Sequence, residues 1–329
     1  MDDPFLSLAE SIIRKRSLLR EKAQSLRSSQ GSQLVSQVNR QPISISACAV
    51  DGGLFSHRLH GTDLVSVRSV GVHFTYSDSK LVSFDYSPSR RVEPSLEFHD
   101  GLDEHEANLF RSLVRLKSEL SCALTITEKF SPQLLLLDGS LWTVPSDRPS
   151  SDSALAPLYG EVIPLYKKLY SLCDSDKADS KEEKKTQLCG IIKDSRSRKL
   201  AKDLGFDCSD TVLCDHLLEA GERTSELPYF DEKQKEPEGY WERLKVFYLK
   251  PSDHDLPLRV EFLHSAIGID QVASLILSLS SISESFAYPA ILIEADMRAA
   301  MDAQEIEHIQ NRLSSLQIRP LRRNARPFR

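Results

Sequence analysis

Apolar residues near the start of the chain recur at helical spacing (Phe5, Leu8, Ile12, Ile13, Leu18, Leu19) and predict an N-terminal helix over 4–28. The Ser- and Gln-rich stretch SSQGSQLVSQVNRQP that follows lacks such a period and reads as a linker. The helix is then free to pack on a partner subunit or to reach across the domain. ISISACAV predicts a strand running into Asp51-Gly52-Gly53. LVSVRSVGVHFTYS and KLVSFDYS, rich in Val and aromatics with partial alternation, predict two more, joined by the turn chemistry of Ser77-Asp78-Ser79. Three strands with short connections predict an antiparallel meander.

From Asp103 to Glu128 the period changes. Leu109, Leu113, Leu116, Leu120 and Leu124 form one stripe, predicting a long helix. LLLLDGS after Pro132 is a short all-apolar run of the kind found in strands covered on both faces. Strand, strand, strand, helix, buried strand is the opening order of a ribonuclease H-like (PIWI-like) α/β fold, a mixed sheet flanked by helices. Farther on, 155–173 predicts a helix and Asp174–Lys185 is a dense charge run, most simply a solvated loop or helix end. QLCGIIKDS predicts a strand, followed by short helices, a hairpin of WERLKVFYLKP with PLRVEFL, and an apolar helix over 267–282. PAILIEAD reads as a buried strand leading into a closing helix, Met297–Leu316. No repeat of solenoid period occurs. The expected organisation is a helix and linker (1–40), one α/β domain with insertions (41–316) and a basic tail (317–329).

Composition adds limits. With 40% hydrophobic and 27% charged residues over 329 positions, the chain can bury a large core, and disorder throughout is excluded. No apolar run reaches the roughly 20 residues of a membrane span, and the N-terminus lacks the apolar core of a signal peptide, so a cytoplasmic protein is expected. Six scattered cysteines without a Cys-x-x-Cys pair predict reduced thiols, not a zinc site or disulfide framework. The net charge of −6 conceals two basic segments, RKRSLLREKAQSLR (14–27) and RPLRRNARPFR at the C-terminus. Each is either a solvated end or a phosphate- or partner-contacting surface.

Carboxylates that follow apolar runs are the main chemical signal. Val50-Asp51, Leu137-Asp138 and Ala295-Asp296 each place an acid after a predicted strand, where strand ends of α/β sheets open onto a crevice. The glycines after Asp51 and Asp138 would allow a sharp backbone exit and close approach of a ligand. Glu119 lies at the edge of the leucine stripe, able to face the sheet. Any one Asp-Gly is ordinary turn chemistry; three or four converging acids repel one another and call for a divalent cation. Mg²⁺ and Mn²⁺ take such oxygen ligands, and two ions about 4 Å apart can drive phosphodiester hydrolysis.

AVDGG, LLLLDGS after the helix bearing Glu119, GIIKDSRSRKLA, LCDHLL and YPAILIEADMRAA occur in an order that resembles the NurA nuclease family from about residue 40 to 316. The resemblance implies a ribonuclease H-like, Mn²⁺-dependent nuclease, with two ions per site and Mg²⁺ as the other candidate. It implies endonuclease action on single-stranded DNA and 5′–3′ exonuclease action in end resection for double-strand break repair. It also implies a homodimer docked on a HerA-type hexameric ATPase. By the same resemblance Asp51, Glu119 and Asp138 match the acidic metal ligands, and Asp296 falls at the last active-site position. Family members commonly present a histidine near there, whereas this chain reads Glu294-Ala295-Asp296.

Lys193 either points at the scissile phosphate, neutralising developing charge, or is a surface lysine at a strand end. Arg196, Arg198 and Lys199 would extend a phosphate-binding track. Asp215 is a weaker acidic candidate or a residue flanking a helix. His57 and His60 follow Asp51 closely and either approach the site or are satisfied surface histidines. The nine histidines form no metal-ligand spacing, and no Walker loop, G-x-G-x-x-G or G-x-S-x-G occurs. Energy from ATP would have to come from a partner. Two other functions fit the same features: a non-catalytic DNA-end or ATPase-binding clamp, and a ribonuclease or Argonaute-like endonuclease.

Overall fold

The computed structural model describes residues 4–59, 61–174, 186–230, 237–265 and 267–318. The first half contains α1 (Pro4–Leu34), β1 (Val35–Gln37), β2 (Ser46–Arg58), β3 (Thr62–Ser77), β4 (Lys80–Ser87), β5 (Ser95–Asp100), α2 (Glu104–Phe130), β6 (Leu134–Asp138) and α3 (Ala156–Cys173). The second contains β7 (Gln187–Ile192), α4 (Lys199–Asp203), α5 (Asp210–Leu217), β8 (Glu222–Thr224), β9 (Leu227–Pro228), β10 (Leu244–Lys250), β11 (Leu258–Leu263), α6 (Ile269–Leu279), α7 (Ala290–Ala299) and α8 (Ala303–Ser315). These elements gather into two units: residues up to Ile43 with Ile191–Ala290, and Ser44–Gly190 with the residues from Ile291 on.

The second of these units carries the expected meander. β2 pairs antiparallel with β3, and β3 with β4. At the hairpin tip Asp78 and Ser79 both take left-handed backbone (φ 47° and 62°), the conformation that matches the strands' twist. β6 lies parallel to β2, from Ala47 opposite Leu134 to Val50 opposite Leu137, giving the order β7-β6-β2-β3-β4. Leu134, Leu135 and Leu136 are wholly buried, as an all-apolar strand requires. β5 was not anticipated; it pairs with the first half of β3. The ribonuclease H-like opening read from the sequence is therefore present, within a mixed sheet flanked by helices.

α2 packs over β2 and β3, and α3 packs on α2. Asp103 starts α2 by accepting the Glu106 amide at 2.8 Å, a bond that satisfies one of the helix's orphan N–H groups. Gly71 on β3 lets the helix approach: a Cβ there would lie 2.6 Å from Ile126 Cδ1.

In the other unit β1, β8, β10 and β11 form one antiparallel array, with β9 also on β10. The expected hairpin is β10–β11. The supposed linker is not a linker. Helix α1 continues to Leu34, and Val35–Gln37 pairs with β8. Ser28 and Ser29 bond back to carbonyls of the preceding turn (Gln24 O at 2.9 Å, Ser25 O at 3.0 Å) and so stay within the helix. Arg27 fixes this part of the helix through a bidentate pair with Glu222 at 2.6 and 2.8 Å. Ala23 is buried against Leu213, Leu218 and Tyr248. Phe5, Leu8 and Ile12, nearer the N-terminus, are exposed.

A second correction concerns PAILIEAD, which is helical. Ile291, Leu292, Ala295 and Ala299 are the buried positions of α7, a helical stripe. The closing helix expected from Met297 is α8, separated from α7 and started by the capping box of Asp302 and Glu305. All six cysteines are free. Among the described residues no helix is long and apolar enough to cross a membrane. The charge run from Ser175 to Lys185, His60 and the arginines from Arg319 onward lie outside the described residues.

Removing the cap of α2 should weaken the helix that carries Glu119. Asp103→Ala is expected to lower stability by about 1 kcal/mol, read from urea unfolding; a change within about 0.2 kcal/mol would show that the cap bond is idle.

Candidate active site

Asp51 does not end its strand. β2 continues to Arg58, and Asp51 stands one residue beyond Val50, where pairing with β6 stops and pairing with β3 goes on. Asp138 stands one residue beyond Leu137 on β6. The two acids therefore occupy adjacent ends of a parallel ladder. Gly139 carries the turn expected of it (φ 133°). Gly52 does not, because it lies within β2, and its role is spatial. A Cβ there would fall 2.6 Å from Glu119 Oε1 and 2.7 Å from its Cγ, so the glycine makes room for the Glu119 carboxylate.

Glu119 comes from the sheet-facing side of α2 and is buried. Arg115, one turn earlier, brings Nε to 3.3 Å from Glu119 Oε1. That is ion-pair distance without a directed hydrogen bond, and no donor meets this buried oxygen at good hydrogen-bond geometry. Asp51 Oδ1 accepts the Gly52 amide at 2.7 Å. Asp296 reaches the cluster from helix α7, not from a strand end, and its carboxyl helps to raise that of Asp51.

Burial pushes the Asp51 carboxyl up to about 7, and Asp138 and Asp296 add to the rise against the pull of the Gly52 amide. Burial likewise pushes Glu119 up to about 8, with Asp51 and Asp138 adding and Arg115 and the Gly52 amide opposing. The four acids chosen from sequence are thus electrostatically linked, with more negative charge than their surroundings compensate. Among the described residues no three acidic, His or Cys side chains are drawn in closely enough to enclose an ion. Even so, the donor set is all oxygen, one buried acceptor lacks a well-formed hydrogen bond, and the glycine clears space for its carboxylate. These features fit a hard divalent cation. A cavity of about 200 Å³ adjoins Glu119 and Asp138, with Arg115 and Ser140 on its wall. A larger groove of about 570 Å³ runs along α8 and contains none of the four acids.

The basic candidates belong to the other unit. Lys193 places its Nζ 4.2 Å from the centre of the Tyr288 ring. Arg198 pairs with Asp207 and Lys199 reaches Pro228 O at 3.4 Å, while Arg196 is exposed. Asp215 is a structural residue on α5, bound to Lys250 Nζ at 3.0 Å. His57 is buried, with Nε2 2.7 Å from Ser66 Oγ, which accounts for one ring nitrogen. Sequence reasoning missed Arg115, although its i,i+4 spacing from Glu119 was a usable signal, and it missed Arg68, treated below.

The raised carboxyl values set a pH dependence. Unfolded, Glu119 and Asp51 release their protons near the ordinary 4.5 and 3.8; folded, they retain them to about 8 and about 7. Where the native state binds more protons than the unfolded state, stability falls as pH rises. In EDTA the thermal midpoint should therefore decline from pH 5 to 8, and Glu119→Gln should flatten that decline. Parallel declines in the two proteins would refute the assignment.

The NurA domain model matches residues 45–301. Among solved structures, the NurA nuclease from Sulfolobus solfataricus shares 16% identity with a TM-score of 0.65, over 96% of this chain and 97% of that one. A second NurA structure gives 12% and 0.60 over 96% and 98%. A third, bound to dAMP and manganese, gives 12% and 0.55 over 93% and 97%. At these identities the likeness is one of fold. No curated protein shows significant sequence similarity. The family match spans most of the chain and takes in all four acids, Asp51, Glu119, Asp138 and Asp296; this chain belongs to the NurA family.

Proposed function

We propose that this protein is a metal-dependent deoxyribonuclease that hydrolyses phosphodiester bonds at the Asp51 cluster. The observation that supports the reading is the strand register that sets Asp51 beside Asp138, with Glu119 packed on Gly52 and Asp296 electrostatically coupled to Asp51, in a chain of this family. Asp51, Glu119, Asp138 and Asp296 would hold the cation, Mn²⁺ by analogy with the manganese-bound NurA structures, or Mg²⁺, with two ions per site. When bound, such ions supply a water of lowered pKa and stabilise the charge of the leaving oxygen.

The chain's own residues prepare the site. Glu119 and Asp51 hold protons near neutrality while no cation compensates them, and would give them up to hold one. The Gly52 amide orients Asp51. Arg115 is half exposed beside the cavity and is placed to meet a phosphate. Exposed Arg196, with Arg198, Lys199 and Lys193, would contact the backbone of bound DNA.

Family membership supports the finer expectations: cleavage within single strands, 5′–3′ exonuclease action, a homodimer, and work beside a HerA-type hexameric ATPase in end resection. The lack of a Walker loop agrees with an external source of ATP energy. A non-catalytic DNA-end or ATPase-binding clamp is the second reading, favoured by the absence, among the described residues, of a drawn-in ligand cage.

End-labelled single-stranded DNA incubated with the protein and Mn²⁺, Mg²⁺ or EDTA tests the proposal. Degradation is expected with Mn²⁺, none with EDTA, and loss to background in Asp51→Ala while its circular dichroism stays native. Activity retained in Asp51→Ala excludes this site as the catalyst. Failure of the native protein to cleave, together with binding to a HerA-type hexamer, selects the clamp.

A further inference from the structure

Arg68 sits on β3 opposite Gly53 of β2, while Asp51, two residues before Gly53, faces Val70. Its side chain is 4% exposed, and a guanidinium so buried needs its donors met. Nε donates to Ala299 O at 2.9 Å; one terminal nitrogen donates to Val92 O at 3.0 Å and Glu305 Oε1 at 2.9 Å. The other donates to Ala300 O and to Glu305 Oε2, the latter at 3.0 Å. Ala299 is the last residue of α7, so its carbonyl is among those a helix leaves without an internal partner. A cation there also meets the negative end of the helix dipole.

Gly53 contributes from the paired strand. A Cβ at that position would stand 1.9 Å from the same Ala299 oxygen. The glycine admits the helix end, and the arginine across from it supplies the donor. Asp296 lies one turn earlier on α7, where its own carbonyl accepts the Ala300 amide at 2.8 Å. The acid from the helix and the acid from the strand are therefore tied through one cross-strand pair.

We propose that Arg68 is a positioning residue for the acidic site. By holding the carbonyls that end α7 against Gly53, with Glu305 neutralising it, Arg68 sets Asp296 beside Asp51 as a metal-binding group. This rests on the reading of the four acids as a metal centre. Arg68 touches no acid of that centre; it acts through the helix.

The test is Mn²⁺ binding by the full chain, measured by calorimetry or by the electron paramagnetic resonance of free Mn²⁺. Arg68→Met should weaken binding about 10- to 100-fold, the range for groups that orient metal ligands. Arg68→Lys should recover little, because one ammonium cannot serve the directions that the planar fork serves. In an Asp296→Asn background the Arg68→Met change should add almost nothing further. Glu305→Gln and Gly53→Ala reach the same helix end, and should weaken binding likewise if Arg68→Met does not fold. Unchanged binding in the variants that fold, or a loss from Arg68→Met that is just as large with Asp296→Asn present, overturns the proposal and leaves Arg68 as packing alone. Absence of Mn²⁺ binding in the native protein is a different result: it refutes the metal-centre reading, and the role of Arg68 with it.

Discussion

Parallel pairing of β2 with β6 carries two carboxylates to neighbouring ends of one ladder, at a depth where water reaches Asp51 poorly. Charges of one sign repel more strongly as the surrounding dielectric falls, so this register commits the protein to compensation by protons or by cations. The commitment comes from apolar chemistry. Leu134–Leu137 and Ala47–Val50 are buried to the last pair, and a slip of one residue would turn every side chain to the opposite face. The core thus enforces an arrangement that the acids alone would resist.

Helices complete the cluster, and small residues in the sheet decide how near they come. Gly71 admits Ile126, Gly52 admits Glu119, and Gly53 admits the end of α7. The turn function expected of the glycines holds only at Gly139. Along β2 and β3 they serve close packing of helix on strand, with the entropic cost that glycine carries within a strand.

Much of this was legible from residues alone. The alternation in LVSVRSVGVHFTYS, the leucine stripe of α2 and the apolar run of β6 each offered one period and one length, and each element formed where expected. Glu119 was placed correctly because a helical wheel fixes which side faces the sheet. AILIEAD failed because a short apolar run has no unique period; the deciding residue was Ala299, buried one turn beyond the run. SSQGSQLV failed because Ser hydroxyls can turn back onto helix carbonyls as readily as break the helix. The part of Arg68 was illegible for a different reason. Its partners at 299, 300 and 305 are more than two hundred positions away, and no local pattern marks an arginine that a helix end will require.

An aspartate at position 296, in place of the histidine that the sequence resemblance implies, would change the charge balance of the proposed metal centre and with it the demands on neighbouring residues. On the proposed two-ion reading, three carboxylates and a neutral imidazole would leave one positive charge to meet a phosphodiester. With four carboxylates the same ions would be balanced before substrate arrives, and attraction for the phosphate would have to come from the protein. On that proposed reading Arg115 would answer the need: half exposed on the wall of the cavity beside Glu119 and Asp138, it opposes the raised Glu119 carboxyl without closing a hydrogen bond to it. An arginine bound tightly to Glu119 would lower that acid's need for a cation, and an arginine farther away would leave the phosphate unmet. At 3.3 Å and poorly aligned, Arg115 retains capacity for both.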